Sequence, residues 1–168
     1  MERLWSPWRI GYVSDSPSSE CADDCIFCAN PQEGDDEKLL ILHRGRSAYI
    51  MMNLYPYNNG HLMICPFRHV SELGELEQAE VMELMELSVL GIEALKREMK
   101  PAGFNLGINL GKTAGAGFAG HLHLHIVPRW EGDTNFMPVL ADTKVIAENL
   151  KAAYKRLYGS IQNILAGQ

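Results

Sequence analysis

The 168-residue sequence lacks the features that mark membrane, secreted and nucleic-acid-binding proteins. No apolar run approaches the roughly 20 residues needed to cross a bilayer, and the N-terminus has no continuous apolar segment typical of a secretory signal. Basic residues are also scarce. The 15 Lys and Arg against 21 Asp and Glu give a net charge of −6, which argues against general binding to nucleic acid. We therefore expect a cytoplasmic protein with no membrane partner and no nucleic-acid partner.

Cysteine is equally scarce, with four residues in the chain. A chain of this length can build one hydrophobic core without a disulfide framework. Hydrophobic residues make up 46% and charged residues 21%, close to the averages for folded soluble domains. We expect one domain over 1–168, with an N-terminal arm at 1–20, a C-terminal helical extension at 142–168, and reduced thiols that are available to a metal.

Apolar periodicity and the positions of Gly, Pro and Asn predict the order of strands and helices. A long helix is predicted for 76–100, and its stripe is interpreted as core packing because Met fills irregular gaps. The stripe consists of Met82, Met85, Val89, Ile92 and Met99. A second helix is predicted from Asp142, a good N-cap. This order predicts an α+β domain with helices packed on a mainly antiparallel sheet. The predicted strands are 39–43, 48–52, 62–65, 104–110 and 121–127.

The most informative segment is the last predicted strand, in which residues 121–127 have the sequence HLHLHIV. Because successive side chains of a strand point to opposite faces, His121, His123 and His125 share one face and the aliphatic residues share the other. Burying three imidazoles without partners is costly, so we expect the histidine face to line a site. Gly115 and Gly117 come just before it and allow backbone N–H groups to approach an anion.

Two kinds of chemistry fit this row of histidines. In the first, the three imidazoles converge on a catalytic metal ion. In the second, one imidazole is a nucleophile that its neighbours orient. The glycine-rich approach favours the second, because an anion beside histidines indicates a phosphate ester.

The histidine run and the glycine-rich segment before it resemble the motif of the histidine triad superfamily, His-x-His-x-His followed by two apolar residues. The resemblance extends from Cys25 to about Arg129. The segments WSPWR at 5–9 and PRWEGDTNF at 128–136 are most similar to the bacterial branch of diadenosine tetraphosphate phosphorylases, also called ATP adenylyltransferases. The resemblance implies the HIT-like fold, with about five mainly antiparallel strands, one long helix and a homodimer formed through that helix and the strand before the triad.

The resemblance also implies roles for individual residues. His123 would attack the α-phosphate of a nucleotide and form a nucleotidyl-histidine intermediate, while His121 and His125 would polarise phosphate oxygens and assist the leaving group. Asn53 would hold the ribose hydroxyls, and Asn109 would contact phosphate. Gly115 and Gly117 complete the expected substrate-binding set.

The implied reaction is cleavage of dinucleoside polyphosphates, above all of diadenosine tetraphosphate with inorganic phosphate as acceptor, which gives ATP and ADP. Two alternatives stay open: a hydrolase of dinucleoside polyphosphates or nucleoside phosphoramidates, and a nucleotide-binding module without turnover. Hydrolytic branches of the superfamily carry Gln four residues before the first triad histidine. This chain has Gly117 there, which favours transfer to another acceptor over hydrolysis.

Cys25 and Cys28 form a thiol pair with the spacing of a zinc clamp or a redox motif. We expect no helix after the pair, which argues against thioredoxin-like chemistry. The resemblance supplies two further zinc ligands, His69 and His121, and so implies a structural zinc ion. Cys21 is an alternative ligand.

The other cysteine and histidines receive ordinary structural interpretations. Cys65 lies in a predicted strand and is interpreted as buried packing. His43 and His61 are interpreted as ordinary strand-end histidines and not as ligands.

Overall fold

The computed structural model describes residues 25–134 and 148–167. Within them lie five strands and three α-helices, in agreement with the predicted α+β class. The predicted single domain over 1–168 stays a prediction, because the arm at 1–20, Cys21 and Asp142 lie outside the described residues. The elements are α1 (Ile26–Glu33), β1 (Ile41–Arg44), β2 (Ala48–Met52), β3 (Leu62–Pro66), α2 (Gln78–Met99), β4 (Gly103–Ile108), β5 (Leu124–Arg129) and α3 (Leu150–Leu165).

The five strands form one sheet in the order β1-β2-β3-β5-β4, and all neighbouring strands are antiparallel. The first three strands form the predicted meander. The strand that carries His125 lies between β3 and β4, with Met63 opposite His125 on one side and Gly107 opposite it on the other. This arrangement gives the histidine strand an interior position and leaves β4 at an edge of the sheet.

One face of the sheet packs against α2 and α3 and forms the main core. Leu122, Leu124 and Ile126 face this core, as the alternation in the sequence predicts. Each such aliphatic side chain contributes about 1.5–3 kcal/mol when it is fully buried. Gly91 brings α2 close to β3, since a Cβ atom there would lie 3.1 Å from the side chain of Leu62.

The opposite face carries a smaller apolar cluster beneath α1. Phe27, Met51, Met63 and Cys65 are buried in it, so the interpretation of Cys65 as buried packing is confirmed. Tyr49 ties α1 to the sheet, because its hydroxyl donates to the carbonyl oxygen of Phe27 at 2.9 Å. This is the face on which the histidine side chains lie.

Several strand boundaries differ from the prediction by one to three residues; β4 spans Gly103–Ile108 and β5 ends at Arg129. The strand β5 begins at Leu124 and not at His121, because the backbone N–H of Leu122 donates to the carbonyl of Val70 at 2.7 Å, outside the ladder with β3. The strand β1 begins at Ile41, after a turn in which Leu40 has a φ of 60°. The alternation of the histidines continues through the extended segment before β5.

The long helix is confirmed over Gln78–Met99, but part of its apolar stripe does not lie in the core of this chain. Met82, Met85 and Val89 are 55%, 49% and 67% exposed. The side of α2 that carries Leu84 and Leu95 faces the sheet instead. The interpretation of the stripe as core packing is confirmed for Ile92 and Met99, which pack against the core. It was wrong for the three exposed residues, because apolar periodicity does not say which apolar surface faces the same chain.

The C-terminal helix α3 begins at Leu150, and the side chain of Asn149 caps it by accepting from the N–H groups of Lys151 and Ala152. The predicted cap, Asp142, falls outside the described residues. None of the described helices has both the length and the apolar character that crossing a membrane would require.

Candidate active site and metal cluster

His123 and His125 line a cavity of about 460 Å³ between the sheet and α1. Met51 and Met63 contribute an apolar floor from β2 and β3. The ring of Phe27 stacks on that of His123, with ring centroids 4.9 Å apart and planes inclined by 29°. The strand and the helix therefore hold the His123 ring in one orientation at the wall of the cavity.

The hydrogen bond of His123 determines which ring nitrogen is free. Its Nδ1 lies 2.8 Å from the carbonyl oxygen of His121, which can only accept. The proton of the neutral ring is therefore on Nδ1, and the lone pair is on Nε2. Burial lowers the pKa of His123, so this ring is a neutral nucleophile near pH 7.

Two successive hydrogen bonds, from Tyr57 to His61 and from His61 to His125, orient the His125 ring through its Nδ1. The backbone N–H of Tyr57 donates to Nδ1 of His61 at 3.0 Å, so the proton of a neutral His61 is on Nε2. That Nε2 lies 2.9 Å from Nδ1 of His125 and donates to it. The remaining proton of His125 is then on its own Nε2.

The Nε2 of His125 is buried and has no hydrogen-bond partner among the described residues. A buried donor without a partner is costly and is a common mark of a functional group. Because His125 lines the cavity beside His123, its Nε2–H can donate to an oxygen of a bound phosphate.

The lowered pKa values of His61 and His125 agree with the neutral rings that these hydrogen bonds require. Burial, with a smaller contribution from His125 and His123, lowers the pKa of His61 to about 3. Burial, followed by the charge of His123, lowers the pKa of His125 to about 4. Both rings are therefore neutral near pH 7. His61 is absent from the metal-ligand cluster, in agreement with its interpretation as a strand-end histidine and not a ligand, but its position before β3 places it against His125.

His121 faces away from this chain of imidazoles. Its Nε2 donates to the carbonyl oxygen of Pro66 at 2.9 Å. Its Nδ1 lies 3.3 Å from Sγ of Cys25 and 3.5 Å from Sγ of Cys28. Burial lowers the pKa of His121 to about 4, so Nδ1 offers a lone pair to a metal.

The four predicted metal ligands come together in one cluster. The ligand atoms of Cys25, Cys28, His69 and His121 all lie within 4.8 Å of one another, and Nδ1 of His69 is 3.4 Å from Sγ of Cys28. Tetrahedral zinc with bonds of about 2.3 Å to sulfur and 2.0 Å to nitrogen requires sulfur–nitrogen separations of about 3.5 Å. The donor set and its spacing therefore fit a tetrahedral metal ion.

This cluster bears on the two hypotheses for the histidines. It is the only group of potential metal ligands of this size within 25–134 and 148–167, and it contains His121 alone of the triad. The Nδ1 atoms of His123 and His125 are engaged elsewhere, by the carbonyl of His121 and by His61. The geometry therefore does not support a catalytic metal held by all three histidines.

The local structure at the thiol pair differs from the prediction. Cys25 is the N-cap of α1 and Cys28 lies in the first turn, so a helix does follow the pair. Apolar periodicity did not reveal this helix because it has eight residues and buries only Phe27. Burial, then the neighbouring Cys25, raises the pKa of Cys28 to about 11, so a metal that binds here must displace thiol protons.

The predicted substrate-binding residues fall into two pairs. Asn53 and Gly117 line the cavity. Asn53 is fixed there because its Oδ1 accepts from the N–H of Tyr55 at 2.9 Å. Asn109 and Gly115 lie together in the loop before the triad, where Nδ2 of Asn109 donates to the carbonyl of Gly115 at 3.5 Å. Gly115 has a φ of 88°, which favours glycine.

Comparison with known proteins places this geometry in a family. Residues 35–132 match the model of the HIT domain. The chain belongs to the HIT domain family. The family agrees with the resemblance seen in the sequence. The matched region contains the histidine triad, His61 and His69.

Individual relatives of this HIT protein are similar over most of its length. It is 43% identical over 156 residues to a Mycobacterium tuberculosis protein named AP-4-A phosphorylase, with 90% of this chain and 80% of the relative covered. A histidine triad nucleotide-binding protein from Sulfolobus tokodaii has a TM-score of 0.67 at 26% identity, over 83% of this chain and 93% of the other. A Zn-bound histidine triad family protein from Mycobacterium smegmatis has a TM-score of 0.71 at 19% identity, over 88% and 100%. At 19% identity, the similarity to the M. smegmatis protein shows a shared fold.

Proposed function

We propose that this HIT protein is an enzyme that cleaves dinucleoside polyphosphates through a nucleotidyl intermediate on His123. The observation that carries the proposal is the free Nε2 of a neutral, buried His123 at the wall of a cavity that can hold a nucleotide. The M. tuberculosis relative, named AP-4-A phosphorylase, supports diadenosine tetraphosphate as the substrate and inorganic phosphate as the acceptor.

In the first step, Nε2 of His123 attacks the α-phosphorus, an N–P bond forms, and the bond to the bridging oxygen breaks. With diadenosine tetraphosphate the leaving group is ATP. The Nε2–H of His125 donates to a phosphate oxygen as negative charge accumulates. In the second step, an oxygen of inorganic phosphate attacks the same phosphorus, the N–P bond breaks, and ADP leaves. His123 returns to its neutral form.

We assign a separate role to each of the substrate-binding residues. Asn53 holds the ribose hydroxyls, and Gly117 leaves room for the second acceptor because it has no side chain. Asn109 and Gly115 shape the loop that approaches the phosphates. The contact of His121 with the two cysteines favours a metal-binding role over direct contact with the substrate.

The metal cluster holds a structural zinc ion in this proposal, with Cys25, Cys28, His69 and His121 as ligands. When bound, zinc supplies a cross-link between α1, the end of β3 and the triad segment. The ligand set leaves no open position for substrate. Zinc thiolates also suit the reducing cytoplasm, which we predict as the location.

The exposed stripe of α2 supports a homodimer. Met82, Met85 and Val89 present apolar surface to solvent, and Leu106 on the edge strand β4 is 43% exposed. A patch of exposed apolar residues and an unpaired strand edge are both features that a second subunit covers. We propose that two copies associate through this surface.

The decisive experiment follows the fate of adenylate labelled at the α-phosphate of diadenosine tetraphosphate. The wild type should form a labelled protein, and His123→Ala should form none and lose turnover. The matched variant His43→Ala changes a histidine outside the cavity and should keep both. Turnover of His123→Ala near the wild-type rate would overturn the proposal.

Product analysis separates the acceptors. ADP that forms only when phosphate is added supports the phosphorylase, whereas AMP formed without phosphate supports a hydrolase. Tight AMP binding with no labelled protein and no product supports a binding module.

A further inference from the structure

The cavity that begins at the catalytic histidines extends across the sheet toward β1. Met63 lies directly opposite His125, and Met51 lies directly opposite Met63. Because neighbouring strands are about 4.8 Å apart, Met51 lies about 10 Å from His125. This span is comparable with an extended nucleoside monophosphate, from its phosphorus to the far edge of a purine. A nucleotide attached to His123 therefore places its base over the two methionines.

The far wall of the cavity, beyond Met51, consists of α1 and the segment before β1. Its polar side chains are Asn30 on α1 and Lys38 before β1, among the apolar Ile26 and Leu39. Lys38 extends toward solvent, with a side chain 67% exposed and an ammonium 3.2 Å from a carboxylate oxygen of Glu33. Lys38 therefore already has a partner outside the cavity.

Asn30 differs from Lys38 in burial and partners. Its side chain is half-buried, and within the described part of the chain no residue forms a hydrogen bond with its amide. An amide carries two donors and an acceptor with two lone pairs. A half-buried amide that no protein group engages, in an otherwise apolar wall, is free to hydrogen-bond a ligand that fills the cavity.

We propose that Asn30 is a specificity-determining residue that hydrogen-bonds the edge of the nucleobase. The inference rests on the proposed function, since that function places a nucleotide on His123. Adenine presents a donor, its exocyclic amine, beside an acceptor, a ring nitrogen. The Oδ1 of Asn30 accepts from the amine and its Nδ2 donates to ring nitrogen N7, the pairing by which asparagine recognises adenine in DNA.

Two variants and three ligands test this assignment by calorimetry. The ligands are AMP, purine riboside monophosphate, which lacks the exocyclic amine, and IMP, which presents the acceptor O6 in place of that amine beside the acceptor N7. The wild type should bind purine riboside monophosphate about tenfold more weakly than AMP, the effect of one lost hydrogen bond. In Asn30→Leu the two should bind within twofold of each other. In Asn30→Asp, whose carboxylate accepts from the amine of AMP but meets two acceptors in IMP, IMP should bind at least tenfold more weakly than AMP.

Asn163 supplies matched controls, because it lies exposed on α3. Asn163→Leu and Asn163→Asp should keep the wild-type order of the three ligands. An unchanged AMP preference in Asn30→Leu, or the loss of the preference for AMP over IMP in Asn30→Asp, would overturn the assignment. If Asn30→Asp does not fold, the comparison of the wild type with Asn30→Leu decides alone. Failure of the proposed function is distinct, since the wild type itself would then form no labelled protein.

Discussion

The Nε2 atom of His61 lies 2.9 Å from Nδ1 of His125, although 64 positions separate them in the sequence. The contact exists because β3 pairs with β5, and His61 immediately precedes β3. Since Nδ1 of His61 accepts from the N–H of Tyr57, the pair has a defined direction of donation. The backbone at Tyr57 thereby decides which nitrogen of His125 carries the proton that faces the cavity.

His61→Phe keeps a ring of similar size but removes the donor to His125. We expect kcat for diadenosine tetraphosphate to fall about 100-fold with little change in KM, because His125 in the wrong tautomer no longer donates a hydrogen bond to the phosphate oxygen as negative charge accumulates. His61→Gln retains a donor and should recover part of kcat. Steady-state kinetics measure both.

His43→Phe is the matched control for this substitution, because His43 lies in β1 outside the cavity. It should retain kcat. Wild-type kcat in His61→Phe, or no advantage of His61→Gln over it, would contradict the positioning role of His61.

The parts of the site that could be predicted are those that depend on local order. The alternation of histidine and leucine predicted the two faces of the triad strand, because side chains of a strand alternate whatever the tertiary structure. The role of His61 depends on pairing between distant strands, which no local pattern specifies. A histidine directly after Gly60 at the start of a strand was the only signal for it in the sequence.

The apolar stripe of α2 shows a second limit of prediction from the sequence. Helical periodicity predicted the helix itself, because Met82, Met85, Val89, Ile92 and Met99 recur at helical spacing. It could not separate the surface that faces the sheet from the surface that carries Met82 and Met85. Both are apolar, and the difference between them lies in the tertiary packing.

Removal of a zinc ligand tests the metal cluster. We expect one zinc ion per chain in the wild type and none in Cys28→Ala, measured by atomic absorption. The variant and the chelated wild type should both lose about 3 kcal/mol of stability, roughly 10 °C in Tm, because structural metal binding contributes to folding. Residual turnover after chelation would agree with a structural role.

Cys65→Ala provides the control, because Cys65 is buried and lies outside the cluster. It should keep one zinc ion per chain. Full zinc content in Cys28→Ala would contradict the assigned ligand set.

The carboxylate of Glu83 on α2 stabilises the turn between β1 and β2. It accepts from the N–H of Arg46 at 2.7 Å, from the N–H of Ser47 at 2.5 Å and from the Ser47 hydroxyl. Burial raises the pKa of Glu83, but these bonds outweigh it and lower the pKa from 4.5 to about 2. The folded state is thus stabilised above pH 4.5, and this contribution is lost as the pH falls toward 2.

Glu83→Gln should lower the free energy of unfolding at pH 7 by about 2 kcal/mol, since a neutral amide replaces a carboxylate that accepts several hydrogen bonds. Urea denaturation at pH 7 and pH 3 measures the difference, which should shrink at pH 3. The control Glu86→Gln removes an exposed partner of Arg46 and should change stability by less than about 0.5 kcal/mol. A difference between Glu83→Gln and the wild type that is equal at both pH values would contradict the assigned pKa shift.

The exposed stripe of α2 provides a test of the proposed dimer. Met85→Glu places a charge in the middle of the apolar patch formed with Met82 and Val89. Burying that charge against a partner subunit is strongly unfavourable, so we expect a monomer with little loss of folded structure. Light scattering after gel filtration gives the mass of each species. The control Leu165→Glu introduces the same charge at an exposed apolar position on α3 and should stay dimeric. A monomeric wild type, or a Met85→Glu variant that still forms the dimer, would show that the stripe is not the subunit interface.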